Sequence, residues 1–132
     1  MRVLLSIRPI HVENILSGKK VFEFRRKIFT RRDVESVLIY CTMPVGQVVA
    51  EFKISEILED EPGRLWERTA LGSGISKCYF DSYFEGRDRA YALGIGALNI
   101  FETPIVPSEL IDDFTPPQSY RYIPCEQQLA LF

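Results

Sequence analysis

Lys20, Glu23 and Arg25 are spaced so that one carboxylate is held among cations, in the stretch LSGKKVFEFRRK, residues 16–27. If residues 21–28 form a strand, alternation puts Val21, Glu23, Arg25 and Lys27 on one face. Phe22 and Phe24 then take the other face, toward the core. Lys20 sits at the junction before the strand, and Arg26 and Lys27 extend its basic edge. A carboxylate ringed by cations stays ionised and orients them. It can also accept hydrogen bonds from the edge of a nucleobase while the cations meet phosphate. The residues alone leave a second reading open, an exposed ion-pair strand that contributes little stability.

Other chemistries find fewer residues. His11 is the one histidine, and Cys41, Cys78 and Cys125 form no CxxC pair, so neither a metal site nor a cofactor is expected. Within the apolar run VLIYCTM, Cys41 reads as a buried small hydrophobe. Helical spacing sets His11 off the face formed by Val12, Ile15 and Leu16, so its side chain is expected at the surface. Tyr79 and Tyr83 share a helical face with Ile75, most simply a core stripe. Alternatively Tyr83 or Tyr40 caps a cleft and stacks on a base, as in readers of single-stranded RNA. Lys77 is either solvated or within reach of a phosphate. In the tail, Gln118, Ser119, Arg121 and Tyr122 alternate polar and aromatic groups. That loop either closes a binding site or packs as a strap anchored by Tyr120 and Tyr122.

The 132 residues suggest one domain, residues 1–132, with room for a proper core. No apolar run approaches the roughly 20 residues of a membrane helix. The N-terminal apolar run stops at Arg8, too soon for a signal-peptide core, so a cytoplasmic protein that does not enter membranes is expected. The odd cysteine count then favours free thiols. The net charge of −2 hides an asymmetry: residues 1–32 carry nine lysines and arginines against Glu13 and Glu23, or +7, and the rest carry −9. A basic segment on an acidic body points to a local anion site. Cations paired with the acidic half across the fold are the alternative.

The elements that must position these groups follow from patterning. Residues 3–7 read as a strand. Pro9 suits the first turn of a helix and Gly18 its stop, giving a helix over residues 9–17. Residues 36–42 form an apolar central strand, residues 47–57 another, and residues 90–101 a long strand in which Gly94 and Gly96 predict a bend. Short helices are predicted after Pro62 and over residues 76–84. The links after Lys27 and Met43 are too short for crossover helices. The pattern predicts an α+β fold, a small mixed β-barrel of five to six strands with two or three short helices. Residues 103–132, with Pro104, Pro107, Pro116, Pro117 and Pro124, are expected to be mostly loop that wraps the body.

SIRPIHVENILSGKKVFEFRRK resembles the opening of the ASCH domain, named for homology to the activating signal cointegrator 1 protein. Its G-x-K-x-x-E-x-R motif is matched by Gly18, Lys20, Glu23 and Arg25. SGISKCYFDSYFEGRDRAYALGIG is similar to the family's glycine-led helix and last long strand. PPQSYRYI is similar to a C-terminal motif of the subgroup often described as predicted transcriptional regulators. The resemblance implies a PUA-like barrel with a positively charged cleft beside the first helix, RNA or a nucleotide as partner, and a possible regulatory role. It implies that Lys20, Glu23 and Arg25 line the cleft, with Ser6 and Arg8 close by.

Some relatives of that family are enzymes. One group deacetylates N4-acetylcytidine with a lysine and a threonine of the motif; Lys20 matches the lysine, but Glu23 stands at the threonine position. Others are associated with ribonuclease activity, for which a cation-rich cleft could stabilise the transition state without metal. The favoured reading is RNA or nucleotide binding, with Lys20, Arg25 and Arg26 on phosphate or base and Glu23 orienting Arg25. The rivals are a metal-independent ribonuclease or amidohydrolase, in which Lys20 and Glu23 are the catalytic candidates, and a protein-interaction module.

Overall fold

The computed structural model describes residues 1–124. In chain order they form β1 (Arg2–Ile7), α1 (Pro9–Leu16), β2 (Phe22–Arg25), β3 (Ser36–Cys41), β4 (Gln47–Asp60), α2 (Pro62–Thr69), a 3-10 turn (Ala70–Gly72), α3 (Lys77–Tyr83), β5 (Ala90–Ile105), α4 (Pro107–Leu110) and β6 (Tyr120–Ile123). Pro9, Pro62 and Pro107 each open a helix, where a missing N–H costs nothing.

The six strands make one mixed sheet in the order β2-β5-β4-β3-β1-β6. Only β1 and β3 run parallel, and the chain between them carries α1 and β2. β4 and β5 are 14 and 16 residues long, and their pairing shifts register three times, between Val48 and Ala50, Phe52 and Ile54, and Ile54 and Ile57. Such bulges add twist and bend. The sheet therefore curls into a half-barrel, the small mixed α+β architecture predicted from the patterning. Gly94 lies at one bend, where a Cβ would stand 2.3 Å from Ser55 Oγ.

Burial follows the alternation. On one face Val3, Leu5 and Ile7 of β1 meet Val37 and Ile39 of β3 and Val12 and Ile15 of α1. On the other, Leu4, Leu38 and Tyr40 pack with Val48, Ile105, Ile111 and Ile123. A third cluster seats α2 and α3 on β2 and β5 through Phe24, Leu65, Phe80, Phe84 and Ala92. Phe80 stands edge-on to Phe24 at 5.2 Å, a contact contributing roughly 0.5–1.5 kcal/mol beyond its buried area.

The structure departs from the sequence reading in several elements. The strand expected over residues 21–28 is only Phe22–Arg25, and those expected over 47–57 and 90–101 run on to Asp60 and Ile105. Among the described residues there are four helices and a 3-10 turn where two or three short helices were expected. The proline-rich tail is not mostly loop: within its described part it holds α4 and β6, and β6 pairs antiparallel with β1, Leu4 opposite Arg121. Pro116 and Pro117 precede β6 and Pro124 follows it, so none interrupts it. Cys125 and the rest of the tail lie outside the described residues.

Gly74, at φ +67, packs against the turn that carries Lys20: a Cβ there would stand 2.5 Å from Lys20 Cβ and 2.9 Å from its Cα. Gly18 has φ +84 but open space around it. Gly18→Ala is expected to cost about 1–2 kcal/mol, the left-handed penalty alone. Gly74→Ala adds the overlap and should cost clearly more. Urea denaturation of the two variants decides this.

Candidate functional site

α1 ends at Gly18, and the next residues are pinned from two sides. Lys20 N–H donates to the Asn14 carbonyl at 2.9 Å and Val21 N–H to the Gly72 carbonyl at 2.8 Å. The segment between α2 and α3 thus closes over Lys20, which is only 3% exposed. Lys20 Nζ donates to the Ser73 carbonyl at 3.1 Å and lies 4.6 Å from the centre of the Phe24 ring. Burial holds its pKa below the ordinary lysine value, and the Glu23 carboxylate opposes that shift.

Glu23 and Arg25 do share one face of β2, and they are not an exposed pair: Glu23 is 6% exposed. Arg25 Nη1 donates to Glu23 Oε2 at 3.1 Å. The same guanidinium donates through Nη2 to the Ser119 carbonyl at 2.8 Å and through Nη1 to the Ser6 carbonyl at 3.5 Å. Ser6 Oγ donates to the Pro117 carbonyl at 2.8 Å. Arg26 donates through Nε to the Tyr83 carbonyl at 2.7 Å and lies 4.2 Å from that ring's centre. Tyr83 Oη donates to the Phe24 carbonyl at 3.3 Å, and burial raises its pKa.

His11, expected at the surface, is half-buried. It lies in the first turn of α1, four residues past the end of β1, and faces α3, where its Nε2 lies 3.0 Å from Tyr79 Oη. Its Nδ1 is buried without a hydrogen-bond partner. Burial lowers its pKa below the ordinary 6.5, as do the charges of Lys20 and Arg8, while Glu23 opposes them. Tyr79 and Tyr83 lie one turn apart on α3 with nearly parallel rings, at 10° and 6.3 Å.

These groups surround a cavity of about 220 Å³. Of the residues singled out in the sequence, Ser6, Arg8, Lys20, Glu23, Arg25, Arg26, Tyr83 and Gln118 line it. Ser119 contributes through its backbone. The other three stand elsewhere. Tyr40 is buried against Phe114, in a different cluster, because β3 is covered on both faces. Lys77 pairs with Asp81 across one exposed turn of α3, at 2.7 Å. Arg121 is exposed on β6 and does not line the cavity. Sequence reasoning passed over Tyr79 and Ile75, read as a core stripe, and Ser73, which acts through its carbonyl. Only the Tyr79–Tyr83 spacing carried a signal for them. Among the described residues, no three His, Cys, Asp or Glu side chains gather as metal ligands would.

A curled mixed sheet with a cation-lined cavity between its first helix and the glycine-led helix α3 defines a PUA-like class of domain. No family model matches the chain. It is 31% identical over 134 residues to a protein named ASCH domain-containing ribonuclease from Zymomonas mobilis, covering 97% of this chain and 88% of the other. The crystal structure of the ASCH protein from Zymomonas mobilis matches with a TM-score of 0.87 at 29% identity, over 96% of this chain and 90% of that one. A stretch covering 69% of the chain is also 39% identical to 29% of the large ribosomal subunit protein uL22 of Ureaplasma parvum. The chain belongs to the ASCH domain family.

The His11 environment has a measurable signature. Between its lowered native pKa and 6.5 the unfolded chain binds more protons than the native one, so stability should rise with pH through that window. NMR titration should place the imidazole pKa below 6.5, and Lys20→Met should move it upward by removing a neighbouring positive charge. An unchanged value in Lys20→Met would mean that this charge does not act on the ring.

Proposed function

We propose that the cavity binds RNA, as a short single-stranded segment or a nucleotide. One observation carries the reading: four cations, Arg8, Lys20, Arg25 and Arg26, share a cavity with one buried carboxylate and two tyrosine rings. Arg8 and Arg26 are exposed and meet phosphate first. Arg25, clamped by Glu23, presents a pre-set guanidinium, which is less costly to order than a free one. Tyr79 and Tyr83 offer ring faces to an unstacked base. The ribonuclease name of the Zymomonas mobilis relative adds support. Arg8→Gln and Arg26→Gln should each weaken RNA binding and reduce the slope of log affinity against log salt by about 0.7, the single-strand value per phosphate contact. Fluorescence anisotropy across a salt series measures both. A double variant with the parental affinity and slope would sink the reading.

A second reading, metal-independent cleavage of that RNA, is favoured by His11. Its lowered pKa keeps the imidazole neutral near pH 7. With Tyr79 Oη donating to Nε2, the imidazole is set as a base behind the exposed tyrosine hydroxyl. Tyr79 Oη takes the 2′-hydroxyl proton and passes its own to Nε2 as the 2′-oxygen attacks phosphorus. The bond from phosphorus to the 5′-oxygen breaks, and that oxygen takes a proton from the Lys20 ammonium, made a stronger acid by burial. Arg25 and Arg26 bear the growing charge on the phosphoryl oxygens. The products are a 2′,3′-cyclic phosphate and a free 5′-hydroxyl. The amidohydrolase route is disfavoured, since Glu23, held by Arg25, offers no hydroxyl nucleophile. His11→Ala should abolish cleavage, leaving RNA retention within about threefold of the parent, given the modest weight of one neutral hydrogen bond. Should a panel of RNAs yield no product at high protein concentration, cleavage is excluded and binding stands.

A further inference from the structure

The basic stretch continues beyond the cavity. Arg26 lines the cavity, and the chain then runs into the loop between β2 and β3, which carries Lys27, Arg31 and Arg32 before its first acid, Asp33. All three cations are exposed. Asp33 engages Arg31 alone, through Nε to Oδ1 at 2.9 Å and Nη2 to Oδ2 at 2.8 Å. Lys27 and Arg32 have no hydrogen bond, ion pair or ring contact with any described residue. Their loop is nevertheless tied down. Tyr122 Oη accepts the N–H groups of Thr30 and Arg31, both at 3.1 Å, and the Arg31 guanidinium lies 5.6 Å from the Tyr122 ring centre. Two cations that have no partner among the described residues are thus held on an anchored backbone, which reduces the ordering cost of binding an anion.

A hollow of about 360 Å³ lies against this loop, walled by Phe29, Ile57 and Tyr91, by Arg31 and Arg32, and by Glu59, whose carboxylate accepts from Arg89 Nε at 3.2 Å. Tyr91 is the register partner of Arg25, so the hollow stands one strand from the cavity. Ile28, also in its wall, is two residues from Arg26, a reach of about 7 Å of extended chain. Cations with an aromatic face beside an apolar recess make a pattern suited to a backbone phosphate and its base.

Resting on the reading of the cavity above, we infer that the β2–β3 loop is a second subsite for the same nucleic-acid strand. A nucleotide next to the one in the cavity sets its phosphates against Lys27 and Arg32 and its base in the hollow, against the Tyr91 ring. The ligand is then a single-stranded oligonucleotide and not a free nucleotide or nucleoside.

The test titrates the full chain with a labelled RNA strand of about twelve nucleotides, a usual footprint for such grooves, and with a mononucleotide, which can fill the cavity alone. The double variant Lys27→Gln/Arg32→Gln should bind the long strand about tenfold more weakly, with a salt slope smaller by about 1.4, while its mononucleotide affinity stays unchanged. Lys53→Gln, which removes an exposed charge elsewhere, should change neither. The subsite is overturned if the double variant keeps the parental affinity and slope for the long strand. It is equally overturned if that variant loses both ligands alike, or if the parent binds the mononucleotide as tightly as the long strand. A parent that binds the long strand with an unaffected double variant refutes only this subsite. A parent that binds neither refutes the cavity reading as well.

Discussion

The Arg25 guanidinium joins parts of the sheet that its strand order keeps apart. β2 lies at one edge, separated from β1 by three strands, with β6 beyond β1. Yet Arg25 of β2 reaches Ser6 at the end of β1 and Ser119 just before β6. Those contacts exist only because β4 and β5 bend, so the bulges of one strand pair and the hydrogen bonds of one side chain describe the same closure. Glu23 holds the guanidinium in place. Neither group could be buried here alone, since an unpaired buried charge costs roughly 3–5 kcal/mol.

The cavity sits at this closure because β2 is an edge strand and both of its faces contribute. Glu23 and Arg25 face the curl of the sheet, and Phe24 faces α3. Lys20, arriving from the turn before the strand, lies over the Phe24 ring and under the Ser73 carbonyl. Each interaction that holds these groups also shapes their chemistry. The burial that packs Lys20 lowers its pKa, and the burial that seats His11 keeps it neutral. The cavity thus sets a neutral imidazole beside the Arg8, Lys20, Arg25 and Arg26 side chains.

The local chemistry of this site was legible in the sequence, and its long-range partners were not. Strand alternation put Glu23 and Arg25 together, and a glycine at 18 stopped the first helix, because both depend on neighbours a few residues away. His11 was misplaced because a helix's own apolar face says nothing about what another helix lays over it, and Tyr79 is 68 residues distant. Tyr40 was misjudged for the converse reason: Phe114, far along the chain, covers a strand end that patterning left open. Lys77, read as either solvated or within reach of a phosphate, is exposed and answered by Asp81 one turn on. β6 was hidden because the prolines before it outweighed its short YRYI run.

The tail crosses the cavity mouth on backbone carbonyls: Ser6 binds that of Pro117, and Arg25 that of Ser119. Between them Gln118 presents the side chain that lines the cavity. Main-chain anchors are indifferent to side-chain identity. A substitution at this one position can therefore alter what the cavity accepts while the closure of the sheet is left intact. In evolutionary terms, the tail is a place where ligand preference can drift without trespassing on folding, whereas Arg25, bound into both, has no such freedom.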